Sequence, residues 1–291
     1  MPHLALLLTT FIWAATFPAT KLALVQSPPL VFLELRFLVS VVVVGGGILA
    51  CRYALRSDFE TLRAAAISSA FLLVGYVTQT VGLQETTASN SAFITALYVV
   101  LVPLFMGRLT RRLWIALTLA VAGLWLLVRP FAGVNAGDMY TLACAAAFAM
   151  HIISIERFSR RTDPASFTFW QLVMVTMALM PAGLGLGLPS LSVAMTPTFL
   201  TALFITGALA TGVAFVVQVW AQAHVPAQRV ALIFALEPAL AAWLAWLVLG
   251  EYMDAVAWLG SALIVAGVLM GTCSSFSAEL GKVRPAAHPA K

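Results

Sequence analysis

Apolar runs of about twenty residues follow one another along almost the whole chain, at 3–25, 30–50, 64–84, 88–108, 113–129, 138–156, 165–187, 198–223, 227–249 and 255–273. A helix rises ~1.5 Å per residue, so ~20 apolar residues cross a ~30 Å hydrocarbon layer. Each run is a candidate membrane span, and there are ten. A water-soluble fold is excluded by the same pattern. Of 291 residues, 62% are hydrophobic and 9% charged, against about a quarter charged in soluble domains, too few polar groups to cover a compact surface. The mean hydropathy of +1.00 agrees. The first run has no Lys or Arg before Lys21 and is longer than the apolar stretch of a secretory signal, so we read it as retained. The sequence turns polar at 274 and ends in Pro/Ala repeats, which predicts a disordered tail over 274–291.

Orientation follows from the sixteen basic residues, since Lys and Arg are retained on the cytoplasmic side during insertion. With the N-terminus inside, the cytoplasmic segments hold Arg52, Arg56 and Arg63, then Arg108, Arg111 and Arg112, then Arg157, Arg160 and Arg161, then Arg229, and finally Lys282, Arg284 and Lys291. The outer side keeps Lys21 and Arg129, and Arg36 lies inside a span. Both termini are therefore expected in the cytoplasm. The net charge of +5 is distributed over these short loops, so no nucleic-acid partner is needed to explain it. Cys51, Cys144 and Cys273 stand singly, with neither CxxC nor Cys/His spacing, so neither a disulfide framework nor a metal is expected. No cofactor is expected either.

The chain repeats itself. Tyr76-Val77-Thr78-Gln79 aligns with Phe215-Val216-Val217-Gln218 at an offset of 139, a register that carries Ala92, Ala96 and Leu97 onto Ala231, Ala235 and Leu236. Trp114 and Val121-Ala122-Gly123 recur as Trp258 and Val265-Ala266-Gly267 at an offset of 144, and Trp13, Lys21, Pro29 and Arg36 fall on Phe148, Glu156, Pro164 and Gln171 at an offset of 135. The expected architecture is an all-α integral membrane protein of ten transmembrane helices in two five-helix halves, 3–129 and 138–273. Because five is odd, the second half must be inverted relative to the first.

This order of helices, the early Trp13, the Glu237-Pro238 pair, the Leu249-Gly250-Glu251 end of the ninth span and the Gly260 to Gly267 pattern of the tenth resemble the EamA-type transporters of the drug/metabolite superfamily. Within them the chain is most similar to the hydrophobic, aromatic-lined bacterial amino-acid and metabolite exporters. It departs from the family at Met106-Gly107-Arg108, which lacks the acidic residue that many relatives carry in the first-half counterpart of Leu249-Gly250-Glu251. The resemblance implies a multi-pass protein of the bacterial cytoplasmic membrane. It also implies a central cavity enclosed by helices 1, 3, 4, 6, 8 and 9 that opens alternately to the two sides and exports small hydrophobic or aromatic solutes. Sugars or phosphorylated metabolites, or uncoupled facilitation of the same solutes, are the alternatives. Phosphate recognition would want paired cations in the cavity, and Arg36 is the one candidate.

Placed on the spans, Trp13, Tyr98, Phe148 and Glu237 fall within about one helical turn of the midplane, as two pairs of repeat mates. They are the expected substrate cavity. Tyr76 and Gln79 share a face of the third helix. Gln79 is expected one to two turns toward the outside, and Gln218 and His151 toward the cytoplasm, forming two vestibules. Polar residues in membrane helices also serve simply to bond neighbouring helices. A lone midplane carboxylate costs several kcal/mol unless protonated, paired or wetted, so Glu237, with His151, is the candidate for proton coupling, and an ion pair with Arg36 is its structural alternative. Pro238, Pro18, Pro103 and Pro181 are expected to free carbonyls and kink their helices. Lys21 and Glu34 are expected to meet in a salt bridge, or Lys21 to act as an outer-mouth charge drawing a substrate carboxylate. Gly267 and Gly271 form a GxxxG that suits close packing within a monomer, with a dimer seam as its other use.

Other function classes fit poorly. The histidines are His3, His151, His224 and His288, and no HExxH, GxSxG or HxxxxD occurs, so an enzyme is not expected. Val74-Gly75-Tyr76 imitates three letters of a potassium filter but runs into a continuous helix. The expected partners are a small-molecule substrate and the lipid bilayer. The orientation is tested by thiol labelling from outside the cell: Gln26→Cys and Asn135→Cys should react, and Ser57→Cys and Arg160→Cys should not. The reverse pattern would overturn the placement.

Overall fold

Lipid offers the backbone no hydrogen bonds, so a chain of this composition must satisfy its amides within helices. The computed structural model describes residues 1–107, 110–128, 135–186, 196–250, 252 and 254–282, and every regular element among them is helical. They are α1 (Pro2–Leu24), α2 (Pro29–Ala50), α3 (Phe59–Glu85), α4 (Ala88–Thr95), α5 (Tyr98–Met106), α6 (Arg111–Val128), α7 (Ala136–Phe158), α8 (Pro164–Leu186), α9 (Pro197–Gln222), α10 (Ala227–Phe234), α11 (Glu237–Leu249) and α12 (Ala255–Lys282). Each expected span coincides with one helix or with a broken pair, α4–α5 and α10–α11. Among the described residues, six stretches are long and apolar enough to cross a membrane alone: α1, α2, α3, α7, α9 and Ala227–Val248. The last helix extends to Lys282, past residue 274, where the sequence turns polar. Arg108, Arg129, Glu251, Arg284 and Lys291 lie outside the described residues.

Local chemistry sets the ends. Asp58 caps α3 by accepting from the Thr61 amide at 3.0 Å and its hydroxyl at 2.9 Å, bonds that hold its carboxyl below the usual carboxylate range. Thr87 caps α4, Thr196 caps α9, and Asn135 with Asp138 forms a reciprocal capping box on α7. Gly107 and Gly250 end α5 and α11 with φ of 61° and 69°, a left-handed turn that a side chain would oppose.

The helix breaks fall at two positions that align at the offset of 139, and not at every internal proline. Helices α1 and α8 run through Pro18 and Pro181, and α5 through Pro103. The fourth span breaks instead at Ala96–Leu97, and the ninth at the aligned Ala235–Leu236. Both tighten to three-residue turns, Leu97 N–H to the Ile94 carbonyl and Leu236 N–H to the Ile233 carbonyl, each at 3.1 Å. A π-helical segment, Phe204–Val213, interrupts α9.

Helices α6 and α12 pack against each other through a reciprocal contact. A Cβ on Gly123 would lie 2.5 Å from the Gly260 carbonyl, and one on Gly267 would lie 2.7 Å from the Ala116 carbonyl. The two contacts map onto each other at the sequence offset of 144. Gly267 is thus used in close packing within the chain. By contrast, a Cβ on Gly46 in α2 would meet nothing within 4 Å. Gly123→Ala or Gly267→Ala should therefore destabilise by ~1–3 kcal/mol. Gly46→Ala should be neutral or stabilising by up to ~1 kcal/mol. Thermal unfolding of the purified protein in one detergent separates the two outcomes.

Candidate functional site

Thirteen residues from α1, α3, α4, α5, α7, α9, α10 and α11 line one central cavity. These are the same six spans that the resemblance implied. Trp13, Tyr98, Phe148 and Glu237 all reach it, and so do Tyr76, Gln79, His151 and Gln218. The expectation of two separate vestibules is therefore corrected: these side chains share one chamber. Three residues on an α-helix span only ~4.5 Å of axis, and the length of Gln and Tyr side chains closes that distance. The space between the wall atoms, its open mouth included, is about 480 Å³.

Aromatic rings form most of the wall. Trp13 lies 5.3 Å from Phe215 and 4.8 Å, edge-on, from Phe234, while Tyr76 meets its mate Phe215 at 6.3 Å and Phe148 at 5.3 Å. Phe148 fits because position 75 is glycine, where a Cβ would stand 2.4 Å from its ring. That contact accounts for Gly75 within the filter-like triplet. Trp13 is anchored by its indole N–H, which donates to the Ala210 carbonyl at 2.8 Å in the π-helical segment of α9. Segments of this kind recur at functional sites.

The two repeat mates Tyr98 and Glu237 touch. The Tyr98 hydroxyl lies 3.0 Å from Glu237 Oε2 and 3.1 Å from the Phe234 carbonyl. The second contact has a covalent cause. In an unbroken helix the Phe234 carbonyl would accept from the residue at 238, and Pro238 has no N–H to give. Tyr98, from the other half of the chain, supplies the missing donor. Glu237 thus takes Tyr98 rather than Arg36, and that possible ion pair is not formed. Arg36 is fully buried, donates from Nε to Thr211 Oγ1 at 2.8 Å and from Nη2 to the Tyr76 hydroxyl at 3.0 Å, and stacks 4.4 Å over the Tyr76 ring. It stands behind the wall and does not line the cavity.

Lys21 also has partners other than those expected. Its ammonium donates to the carbonyls of Leu83 and Thr86 at 2.7 and 2.6 Å, closing the C-terminus of α3, where a cation is favoured. Glu34 Oε2 is buried without a hydrogen-bond partner, so the Lys21–Glu34 bridge is absent. Nearby, Asp138 accepts from Thr86 at 2.9 Å and Asn90 at 2.7 Å, tying α4 to α7.

Elsewhere in the wall, His151 Nε2 lies 3.3 Å from Gln171 Oε1. Gln218 Nε2 donates to Gln222 Oε1 at 2.7 Å, and Gln222 Nε2 to the Ile152 carbonyl at 2.9 Å. Sequence reasoning passed over Thr95, Ile152, Phe234 and Gln222. Thr95 and Phe234 align with each other at the offset of 139, and Gln222 stands four residues after Gln218 on the same helix face, so both signals were present.

An aromatic chamber with a few polar groups, buried at the centre of a bundle whose helices are apolar enough to cross a bilayer, defines a multi-pass membrane protein built around a small-molecule site. The sequence matches the model of the EamA-like transporter family over residues 1–129 and 135–272. The chain belongs to the EamA-like transporter family, and so is a transporter and not an enzyme. It is 32% identical over 276 residues to an uncharacterised transporter of Archaeoglobus fulgidus, covering 92% of this chain and 84% of that one. It is 25% identical over 285 residues to the uncharacterised transporter YoaV of Bacillus subtilis, covering 92% and 96%. A solved crystal structure shares the fold with a TM-score of 0.75 at 20% identity, covering 93% of this chain and 98% of that one.

Removing one oxygen tests the central contact. Tyr98→Phe leaves the Phe234 carbonyl and Glu237 without their donor, which should cost ~1–3 kcal/mol. Thermal unfolding should fall accordingly, and an unchanged midpoint would show that this hydroxyl bonds neither group.

Proposed function

We propose that this protein is a secondary carrier of the bacterial cytoplasmic membrane, exporting small hydrophobic or aromatic amino acids or related metabolites by alternating access. Its halves, 3–129 and 138–273, form an inverted repeat with both termini in the cytoplasm. The observation that carries the reading is a single cavity walled by repeat mates from both halves, Trp13 with Phe148 and Tyr98 with Glu237. The reciprocal Gly123–Gly260 and Gly267–Ala116 contacts support the repeat. The aromatic wall favours flat, apolar solutes, each ring contact adding ~0.5–1.5 kcal/mol beyond burial. Sugars and phosphorylated metabolites fit less well, because Arg36 lies outside the wall. In this reading Glu237 is the proton-coupling group, with His151 beside Phe215 as the second titratable group of the chamber.

Uptake of labelled amino acids into proteoliposomes, with and without an imposed proton gradient, tests the proposal. Large apolar amino acids should be moved in preference to acidic ones. Glu237→Gln keeps the shape and removes the charge, so proton-coupled transport should lose its pH dependence. A Glu237→Gln protein that keeps the full pH profile would assign coupling elsewhere or to none. Tyr98→Ala should weaken transport of aromatic solutes by roughly tenfold or less. If both variants leave every flux unchanged in a folded protein, the cavity is not the transport site.

A further inference from the structure

Resting on the carrier reading, we infer that the central cavity recognises its solute by an amine, so that an aromatic amine without a carboxylate is bound and an aromatic acid without an amine is not. The observation is an orphaned acceptor whose orientation the protein dictates. Gln218 is 1% exposed and lines the cavity, yet its Oε1 has no hydrogen-bond partner. The two atoms of a side-chain amide are ordinarily interchangeable in position. Here they are not, because a relay fixes them. The Ile152 carbonyl can only accept, so Gln222 must present its NH₂ to it. Gln222 Oε1 therefore faces Gln218, and Gln218 must turn its own NH₂ toward Gln222. Gln222 does not line the cavity. What remains of this cavity-lining amide is its carbonyl oxygen, a buried acceptor in want of a donor.

Much of the wall has the same polarity. Several of its donors are committed to protein acceptors: the Trp13 indole to Ala210, the Thr16 hydroxyl to the Trp13 carbonyl at 2.7 Å, and the Tyr98 hydroxyl to Phe234 and Glu237. Not every acceptor is engaged. Glu237 Oε1 has no hydrogen-bond partner among the described residues, and its residue lines the cavity. A buried acceptor without a donor costs the free energy of its desolvation. A solute that brings several N–H donors to these oxygens recovers it, and an ammonium brings three. The surrounding rings of Trp13, Phe215 and Phe234 attract a cation further through their faces. A carboxylate would meet acceptors instead, with Arg36 held behind the Tyr76 ring.

Three solutes with one phenyl body separate the ends: phenethylamine carries the amine, 3-phenylpropionate the acid, and phenylalanine both. Binding is read as the rise in thermal midpoint of the purified full chain in detergent, titrated with each. Phenethylamine and phenylalanine should raise it, and 3-phenylpropionate should not. Stabilisation by the acid to the same extent as the amine, by phenylalanine alone, or by none of the three overturns the inference. Gln218→Leu should weaken phenethylamine binding about ten- to a hundredfold. Gln218→Glu, whose protonated form donates to Gln222 and keeps its carbonyl oxygen free, should retain it, which keeps the test open should the leucine variant fail to fold. Gln222→Leu releases the Gln218 amide to turn, so the preference for amine over acid should narrow. Unaltered selectivity in a folded Gln222→Leu protein would refute the relay. Flux in proteoliposomes keeps the two readings apart. Amine binding without transport of any solute would remove the carrier reading and leave the site, whereas transport of the acid in place of the amine would leave the carrier and remove this inference.

Discussion

The Phe234 carbonyl, deprived of its helical donor by Pro238, is the point on which the centre of this bundle is organised. In a bilayer no water is at hand to make good such a loss, so a donor must come from the protein. It comes from Tyr98, across the cavity and from the other half of the chain. The same hydroxyl holds Glu237 Oε2, so the break of the ninth span, the position of the buried carboxylate and the contact between halves are one arrangement. The break of the fourth span, at Ala96–Leu97, places Tyr98 at the start of α5, where its side chain can make this crossing.

Around that contact the chain separates polar work from packing. Helices α6 and α12 meet at backbone-to-backbone distance through Gly123 and Gly267, a tight seam in which small residues substitute for the hydrophobic drive that lipid does not supply. Helices α2 and α8 give no residue to the cavity wall. Arg36 on α2 still shapes it indirectly, by fixing the Tyr76 hydroxyl and the Thr211 side chain of the π-helical segment. A buried cation without a carboxylate partner is expensive in lipid. Stacking on Tyr76 and two hydrogen bonds offset part of that cost.

The chamber's chemistry follows from where its hydrogen bonds are spent. Donors are used to hold the wall together, as with Trp13 on Ala210 and Gln218 on Gln222, and Gln218 Oε1 is left without a partner. Aromatic rings supply area and the oxygens supply direction, a division common to small-molecule sites.

Much of this was legible in the sequence because lipid imposes a simple rule: each span needs ~20 apolar residues. The ten runs, the offsets of 139 and 144, and the grouping of Trp13, Tyr98, Phe148 and Glu237, which line one cavity, follow from that rule and from repetition alone. Tertiary structure decided what periodicity does not encode, namely which of several possible partners a polar group takes. Lys21 took the end of α3 and not Glu34, Glu237 took Tyr98 and not Arg36, and two expected vestibules became one chamber because side-chain length bridges a helical turn. The fourth span broke at Ala96–Leu97 and not at Pro103. The orientation of the Gln218 amide was decided last of all, by a carbonyl on α7 that can only accept.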